Sequence, residues 1–386
     1  MRPPTSAKAA RFTESVIREM SRVCTEHGGV NLAQGFPDFP APAAMKAAAK
    51  RAIDADVNQY AVTWGAPDLR AAIAERTSAY NRIPTDAARN VTVCCGATEA
   101  MIAALMAVLD PGDEVVIFEP FYENYGPDCI LSGAVPRFVR LEPPDWELDA
   151  DALRAAFGPQ TRAVILNTPH NPTGKVFTRA ELELVAALCI EHDALAITDE
   201  IYEYILYDEA EHVSIASLPG MAERTITISG LSKTWSATGG RIGWCVASPQ
   251  ISGAIRKVHD FLTVGAPAPL QQAAAEALRF GPEYFERLRA DYAERRDVLL
   301  SALEETGFRT FRPRGAYYVM TDVGGLTELD DVAFAMQLVQ DGGVATVPGS
   351  SFYRDPAAGA RLVRFCFAKR IETLERAAEV LRQRLG

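Results

Sequence analysis

A chain of 386 residues is long enough for two or three domains of about 150 residues each, and 48% hydrophobic against 23% charged residues is an ordinary globular balance. The formal net charge is −11 and no basic run exceeds two residues, which argues against a nucleic-acid or anionic-membrane surface. A few arginines could still build a local positive site for an anionic ligand.

The N-terminal stretch MRPPTSAKAARF lacks the apolar core of a signal peptide, and no apolar run approaches about 18 residues, so a cytoplasmic protein is expected. The cysteine count is odd, seven in all. Cys94, Cys95, Cys129, Cys189, Cys245 and Cys366 lie in or beside apolar stretches, without CxxC spacing or a His-rich segment. They read as buried thiols in a reducing compartment, and no metal site is expected.

Along the chain, the Ala-rich stretch 43–52 reads as helix surface. Beyond it comes a series of short apolar strands, each followed at once by a polar cluster. Val91–Cys94 runs into Gly96-Ala97-Thr98-Glu99, and Glu114–Phe118 into Glu119-Pro120-Phe121-Tyr122. Ala163–Leu166 leads to Asn167-Thr168-Pro169-His170-Asn171-Pro172-Thr173-Gly174, Ala194–Ile197 to Thr198-Asp199-Glu200, and Thr225–Ile228 to Ser229-Gly230-Leu231-Ser232-Lys233. Helix-period stretches such as Thr98–Leu109 and Arg179–His192 lie between them. The alternation predicts an α/β fold with a mainly parallel sheet between helices, whose ligand sits beyond the carboxyl ends of the strands. The polar clusters should therefore converge on one site. A second Ala-rich stretch, 272–278, again reads as helix surface. From about Pro282 long charged helices (Glu283–Glu305, Asp330–Asp341, Ile371–Leu385) enclose strand-like pieces at Gly315–Met320, Val344–Val347 and Leu362–Phe367. The expected division is a large domain over 41–281 and a smaller α+β domain made of 1–40 and 282–386.

Most lysines are solvated. Lys233, however, follows an apolar strand among small and hydroxyl residues, with no opposite charge nearby in sequence. A partly desolvated lysine loses basicity and becomes a nucleophile toward an aldehyde. Arg241, in Thr238-Gly239-Gly240-Arg241, has a fork suited to a phosphate dianion, or is a surface arginine in a glycine-bracketed turn. Ser229 and Ser232 could add hydroxyl donors. Gly96-Ala97-Thr98, between strand and helix, is either an ordinary cap or an anion cradle of free N–H groups. Asp199, at a buried strand end, is a helix cap, a salt-bridge partner, or the partner of a protonated pyridine nitrogen. Asn171 sits in a turn composition, and Tyr122 is a core aromatic or a ring that stacks on a flat cofactor. Period-two alternation places Arg364 on the apolar face of Leu362 and Cys366, where it needs an anion: an internal carboxylate or that of a substrate.

Taken together, the chain resembles the fold-type-I, class-I pyridoxal-phosphate aminotransferases, especially the branch with kynurenine, methionine and some aspartate aminotransferases. The resemblance covers nearly the whole chain. It rests on Asn31-Leu32-Ala33-Gln34-Gly35-Phe36-Pro37-Asp38-Phe39, Asn58-Gln59-Tyr60, the Asn171-Pro172-Thr173-Gly174 turn and Asp199-Glu200-Ile201-Tyr202. It continues through Ser232-Lys233-Thr234, Thr238-Gly239-Gly240-Arg241, Val347-Pro348-Gly349-Ser350 and Arg364-Phe365-Cys366-Phe367.

The resemblance implies roles position by position. Lys233 would carry pyridoxal 5'-phosphate as a Schiff base. Asp199 would hold the ring nitrogen, Tyr202 and Asn171 the ring oxygen, and Tyr122 would stack on the ring. Ala97, Thr98 and Arg241 would bind the phosphate with help from the serines. Tyr60 would reach the phosphate of a neighbouring subunit, making a homodimer. Gly35 (through its backbone), Asn171 and Arg364 would hold the substrate α-carboxylate. An amino group would pass from an L-amino acid, aromatic or sulfur-containing by the character of Phe12, Phe36, His259–Phe261 and Tyr317–Tyr318, to a 2-oxo acid such as 2-oxoglutarate. Aspartate as donor, or β-lyase chemistry on cysteine S-conjugates, are the alternatives. A cofactor-binding regulator is disfavoured, since neither a basic helix-turn-helix segment nor spare N-terminal length is present. Two departures stand out: Gly240 where many relatives carry Trp, and Gly230 where some carry a phosphate-binding serine, which shifts the hydroxyl role to Ser229 or Ser232.

Overall fold

The computed structural model describes residues 4–385. Helix α1 (Val16–Glu26) leads through β1 (Val30–Asn31) to α2 (Ala43–Asp54) and α3 (Pro67–Arg76). The central stretch runs β2 (Val91–Cys94), α4 (Ala97–Val108), β3 (Glu114–Glu119), α5 (Tyr125–Ser132), β4 (Val135–Glu142), β5 (Glu147–Leu148), α6 (Ala150–Ala156), β6 (Thr161–Asn167), α7 (Arg179–Glu191), β7 (Leu195–Asp199), β8 (Thr225–Gly230) and β9 (Gly243–Val246). Next come α8 (Pro249–Thr263), α9 (Ala268–Leu278), the long α10 (Pro282–Glu305), β10 (Arg309–Phe311) and β11 (Tyr318–Asp322). The chain ends with α11 (Asp331–Val339), β12 (Val344–Ala345), β13 (Val347–Pro348), β14 (Leu362–Cys366) and α12 (Ile371–Leu385). Among the described residues no helix is long and apolar enough to cross a membrane.

The main sheet has eight strands in the order β2-β9-β8-β7-β6-β3-β4-β5. Its centre is parallel (β8 with β7, β7 with β6, β6 with β3, β3 with β4), and β9 runs against both β8 and β2. Two reversals restore direction, so β2 points the same way as β8, β7, β6 and β3. The carboxyl ends of all five strands therefore open on one edge. Apolar runs, Ala163–Leu166 in β6 and Leu195–Ile197 in β7, lie in strands buried nearly end to end, as a sheet covered on both faces requires. The covering helices start where their sequence says they should. Thr178 and Glu181 close a capping box on α7, and Gly96, at φ 84°, starts α4 in a conformation that a side chain would resist.

A four-stranded antiparallel sheet, β10-β11-β14-β13, packs against α10 through β10 and against α11 through β13 and β14, while α12 lies on α10. Strand β1 pairs in parallel with β12, so the N-terminal segment is tied to the C-terminal part of the chain. One surface expectation is corrected: Ala273, Ala274, Ala275 and Ala277 are buried. Their small side chains let α9 lie closely against α2.

Candidate active site

Beyond that shared edge lies a cavity of about 450 Å³. The segments that follow the five strands supply most of its wall: Ala97 and Thr98 after β2, Tyr122 after β3, Asn171 after β6, Asp199 and Tyr202 at the end of β7, Ser232 and Lys233 after β8. Arg241 and Gly35 complete the set from neighbouring loops. Residues from positions 35 to 241 thus meet because parallel strands all end on the same side.

Lys233 opens onto the cavity with its Nζ donating to the Gly35 carbonyl at 3.0 Å, between the rings of Tyr202 and Tyr317. Loss of hydration lowers its amine to about 8 against the weaker opposing charges of Cys366 and Asp199. Two other buried or half-buried lysines are committed elsewhere. Lys369 donates to the carbonyls of Gln34 and Phe36, and Lys175 pairs with Glu181 at 2.6 Å.

Asp199 is buried, and desolvation raises its carboxyl to about 6 despite two donors: the Tyr125 hydroxyl at 2.9 Å and the Ile201 N–H at 3.3 Å. Behind it, Glu200 is sealed from solvent and accepts from His212 Nε2 at 2.8 Å and from the Ser214 hydroxyl at 2.7 Å. Burial works against a charged His212, but Glu200's charge and hydrogen bond outweigh it and the ring's pKa is raised. This network buttresses the strand end that carries Asp199.

On the cavity wall supplied by the start of α4, Gly96 allows close approach. A Cβ there would run into the Arg241 guanidinium. Arg241 donates from Nη1 to the Thr238 carbonyl at 2.9 Å, and Ala97 and Thr98 open the first turn of α4, whose N–H groups have no helical acceptor. A guanidinium beside a helix start is a ready site for a phosphate. Ser232 lines the cavity near it.

Arg364 lies wholly buried on β14 with no carboxylate of the described residues within ion-pair distance. Nη1 donates to Asn171 Oδ1 at 2.7 Å and Nη2 to the Ala33 carbonyl at 2.8 Å, while Nε has no partner. The internal-carboxylate alternative drawn from its strand position thus finds no partner here. A buried, unneutralised guanidinium held by two neutral acceptors is poised for an anion. The guanidinium lies 4.2 Å from the centre of the Tyr318 ring, and position 35 is a glycine where a Cβ would collide with the Tyr318 hydroxyl, which itself bonds Tyr202 at 3.0 Å.

Some expected residues lie elsewhere. Ser229 does not face the cavity: its hydroxyl donates to Glu203 at 2.7 Å, on the other face of β8, which leaves the hydroxyl role to Ser232. Gly230 explains the departure at its own position, since a Cβ there would lie 2.8 Å from the carbonyl of Ile242, the residue just before β9. His259, read as a substrate-side residue, is buried under α4 and bonded to Glu99 at 2.9 Å and to the Thr63 carbonyl at 2.9 Å. Tyr60 is 87% exposed and outside the cavity.

Several wall residues were not foreseen, Tyr125, Arg18 and Asp128 among them. Tyr125 fixes Asp199, and its only sequence signal was a tyrosine three residues past Tyr122. Arg18 comes from α1. Asp128 lies one turn beyond Tyr125 on the same face of α5. Among the described residues its side chain makes no hydrogen bond, Oδ2 is sealed without a partner, and burial pushes the carboxyl up to about 7. The unfolded chain gives up that proton near pH 4, at about the ordinary carboxylate value. The folded protein keeps it to about pH 7, so stability falls as pH rises between those values. Asp128→Asn should therefore stabilise the cofactor-free protein by about 1–4 kcal/mol at pH 8 and hardly at pH 4. Urea denaturation at both pH values checks this, and an equal effect at the two would contradict it.

The chain matches the family described as aminotransferase class I and II over residues 27–381. It is 38% identical to the methionine aminotransferase of Escherichia coli (strain K12), with 98% of this chain and 97% of that protein covered. It is 37% identical to the human kynurenine–oxoglutarate transaminase 1, with 95% and 94% covered. The solved structure of N-succinyldiaminopimelate aminotransferase from Mycobacterium tuberculosis superposes with a TM-score of 0.95 at 39% identity, covering 98% of this chain and 99% of that one.

Proposed function

From the premise that the chain belongs to the class I and II aminotransferases, we propose that it passes the amino group of aromatic or sulfur-containing L-amino acids to 2-oxoglutarate. It is an aminotransferase, and its cofactor is pyridoxal 5'-phosphate. One observation carries the site assignment: a buried lysine of lowered basicity opens on a cavity whose wall also holds a buried carboxylate and an arginine beside a helix start. These residues fit a phosphorylated, cationic ring.

When bound, the cofactor supplies an aldehyde for the donor's amine and a cationic ring that draws electrons from its Cα. Asp199 holds the proton on the ring nitrogen, and Tyr125 keeps that carboxylate oriented. The N–H groups of Ala97 and Thr98, with Ser232 and Arg241, hold the phosphate. Tyr122 would stack on the ring, and Tyr202 and Asn171 would hydrogen-bond its hydroxyl; all three line the cavity. Arg364 binds the substrate α-carboxylate beside Gly35 and Asn171, which sets the Cα–H bond toward Lys233. The Lys233 amine, of lowered basicity, would accept the Cα proton at Nζ.

Lining residues Phe36 and Tyr318 give the substrate side of the cavity its aromatic character, and they support a bulky apolar donor side chain. The homodimer reading draws on an exposed apolar patch in which Tyr60, Trp64, Phe261 and Leu262 meet through the Thr63–Asp260 hydrogen bond. In that dimer Tyr60 reaches the partner's phosphate site. We take the division into 41–281 and 1–40 with 282–386, and a cytoplasmic location suited to seven free thiols, as part of the same reading.

Purified enzyme with cofactor and 2-oxoglutarate should form glutamate from methionine, kynurenine or phenylalanine faster than from alanine. Glutamate release across a donor panel measures it. Absence of glutamate with every donor would exclude the reading, and pyruvate with ammonia from cysteine S-conjugates, without an acceptor, would move it to β-lyase chemistry.

A further inference from the structure

Under the start of α4, outside the lining of the cavity, four buried side chains gather that the reaction does not use: Cys94, Glu99, Cys245 and His259. A ligand atom from each of Cys94, Glu99 and His259 lies within 4.8 Å of the other two. Strands β2 and β9 pair antiparallel with Thr92 opposite Cys245, which puts Cys245 on the same sheet face as Cys94, one diagonal away. The Cys94 thiol is pushed well up, by Cys245 first and then by burial and Glu99, so the thiols and the carboxylate crowd one another.

Backbone groups aim these side chains at one another. His259 Nε2 donates to the Thr63 carbonyl at 2.9 Å, which turns Nδ1 toward Glu99, 2.9 Å from Oε1. Glu99 Oε2 accepts the Cys95 N–H at 2.9 Å, which fixes the carboxylate against the turn that opens α4. Cys94 Sγ reaches a carbonyl only at 3.9 Å, that of Thr92 in its own strand. A sealed thiol without a good acceptor thus faces an imidazole and a carboxylate that are each held from behind. Proteins orient metal ligands in this way, with the far ring nitrogen on a backbone carbonyl and the ligating carboxylate itself hydrogen-bonded.

We propose that Cys94, Glu99 and His259, with Cys245 as fourth ligand, form a binding site for a divalent cation of the zinc class, which fastens the start of α4 to β9 and α8. The site does not depend on the transamination reading. Thiols and an imidazole favour zinc or cadmium over calcium and magnesium, which take oxygen ligands. Metal–ligand bonds of about 2.0–2.3 Å in a tetrahedron hold the ligand atoms about 3.3–3.8 Å apart, so small side-chain rotations close the set. Binding displaces the Cys94 thiol proton and the proton on Nδ1. The Cys94 thiolate and Glu99 then balance the two charges of the cation, and the sealed site stays neutral. No CxxC pair marks such a site in the sequence, because its ligands come from β2, α4, β9 and α8.

The test takes holoenzyme cleared of metal with a chelator and dialyses it against Zn2+ alone. Elemental analysis should find about one ion per chain, as a single four-ligand site requires. Loss of an outer hydrogen-bond partner of a metal ligand costs about 10–100-fold in affinity, so loss of a ligand in C94S should weaken binding by about 100-fold or more. E99Q should weaken it as well, and C189S, at a buried thiol elsewhere, should bind like wild type. Zn2+ should raise the melting temperature of wild type and leave that of C94S where it was. A further readout needs no variant: Co2+ in wild type should give thiolate-to-cobalt charge-transfer absorbance in difference spectra against the zinc-loaded protein. No bound ion, Co2+ without that band, or C94S binding Zn2+ as wild type does overturns the proposal.

Discussion

Lys233→Ala should abolish all but a trace of turnover while leaving the cofactor bound. Loss of a positioned proton acceptor alone costs about 10²–10⁴-fold, and the covalent attachment point disappears with it. The phosphate cradle of Ala97, Thr98 and Arg241 and the Asp199 carboxylate lie on other segments, so noncovalent binding persists. Single-turnover absorbance changes with methionine read the chemical step, and borohydride reduction followed by peptide mapping reads the attachment. The label should fall on Lys233 in wild type and be absent in the variant. Lys369 is the informative competitor, because it too is buried, yet its amine is spent on two backbone carbonyls. A label on Lys369, or near-normal turnover in Lys233→Ala, would defeat the assignment. The lowered basicity adds a pH signature. Only a neutral amine attacks an aldehyde, and Lys233 becomes neutral as pH rises through about 8. Covalent capture of the cofactor by the cofactor-free protein should therefore speed up through that range rather than near pH 10.

Much of this site could be read from the sequence because parallel sheets impose a rule on position. Apolar runs such as Ala163–Leu166 and Thr225–Ile228 became β6 and β8, extended by one to three residues at their ends, and the polar clusters after them converged because carboxyl ends share an edge. The same rule is silent about which way a residue within a strand points. Both faces of β8 are buried, so no alternation of polarity revealed that Ser229 turns to Glu203 while Ser232, past the strand, turns to the cavity. Long-range partners were equally hidden. His259 lies 160 residues from Glu99, and nothing local marks either as half of a buried pair. Arg18 and Asp128 carry no local signal in the sequence at all. Both reach the cavity only because α1 and α5 are packed against it. The alanines of 272–278 were indistinguishable from a solvated helix until α2 was laid across them.

Asp199→Asn is the substitution that separates charge from shape. The amide keeps an oxygen for the Tyr125 hydroxyl and changes little in volume, but it cannot neutralise a protonated ring nitrogen. Turnover should drop by about 10²–10³-fold, the scale of removing one preorganised electrostatic contact. Cofactor affinity gives a second readout with a definite pH sign. Burial holds the Asp199 carboxyl at about 6 in the cofactor-free protein. Above that pH the group is already ionised and ready for the ring cation. Below it, a proton must first be removed, so wild-type affinity should weaken as pH falls from 7 toward 5. In Asp199→Asn that slope should vanish, because no proton is there to remove. Fluorescence or absorbance titration of the cofactor-free protein at pH 5, 6 and 7 compares the two slopes. Parallel curves would mean that Asp199 does not face the ring nitrogen. The fixed Tyr125–Asp199 geometry would then be structural, a brace for the end of β7 rather than the means of keeping the ring an electron sink.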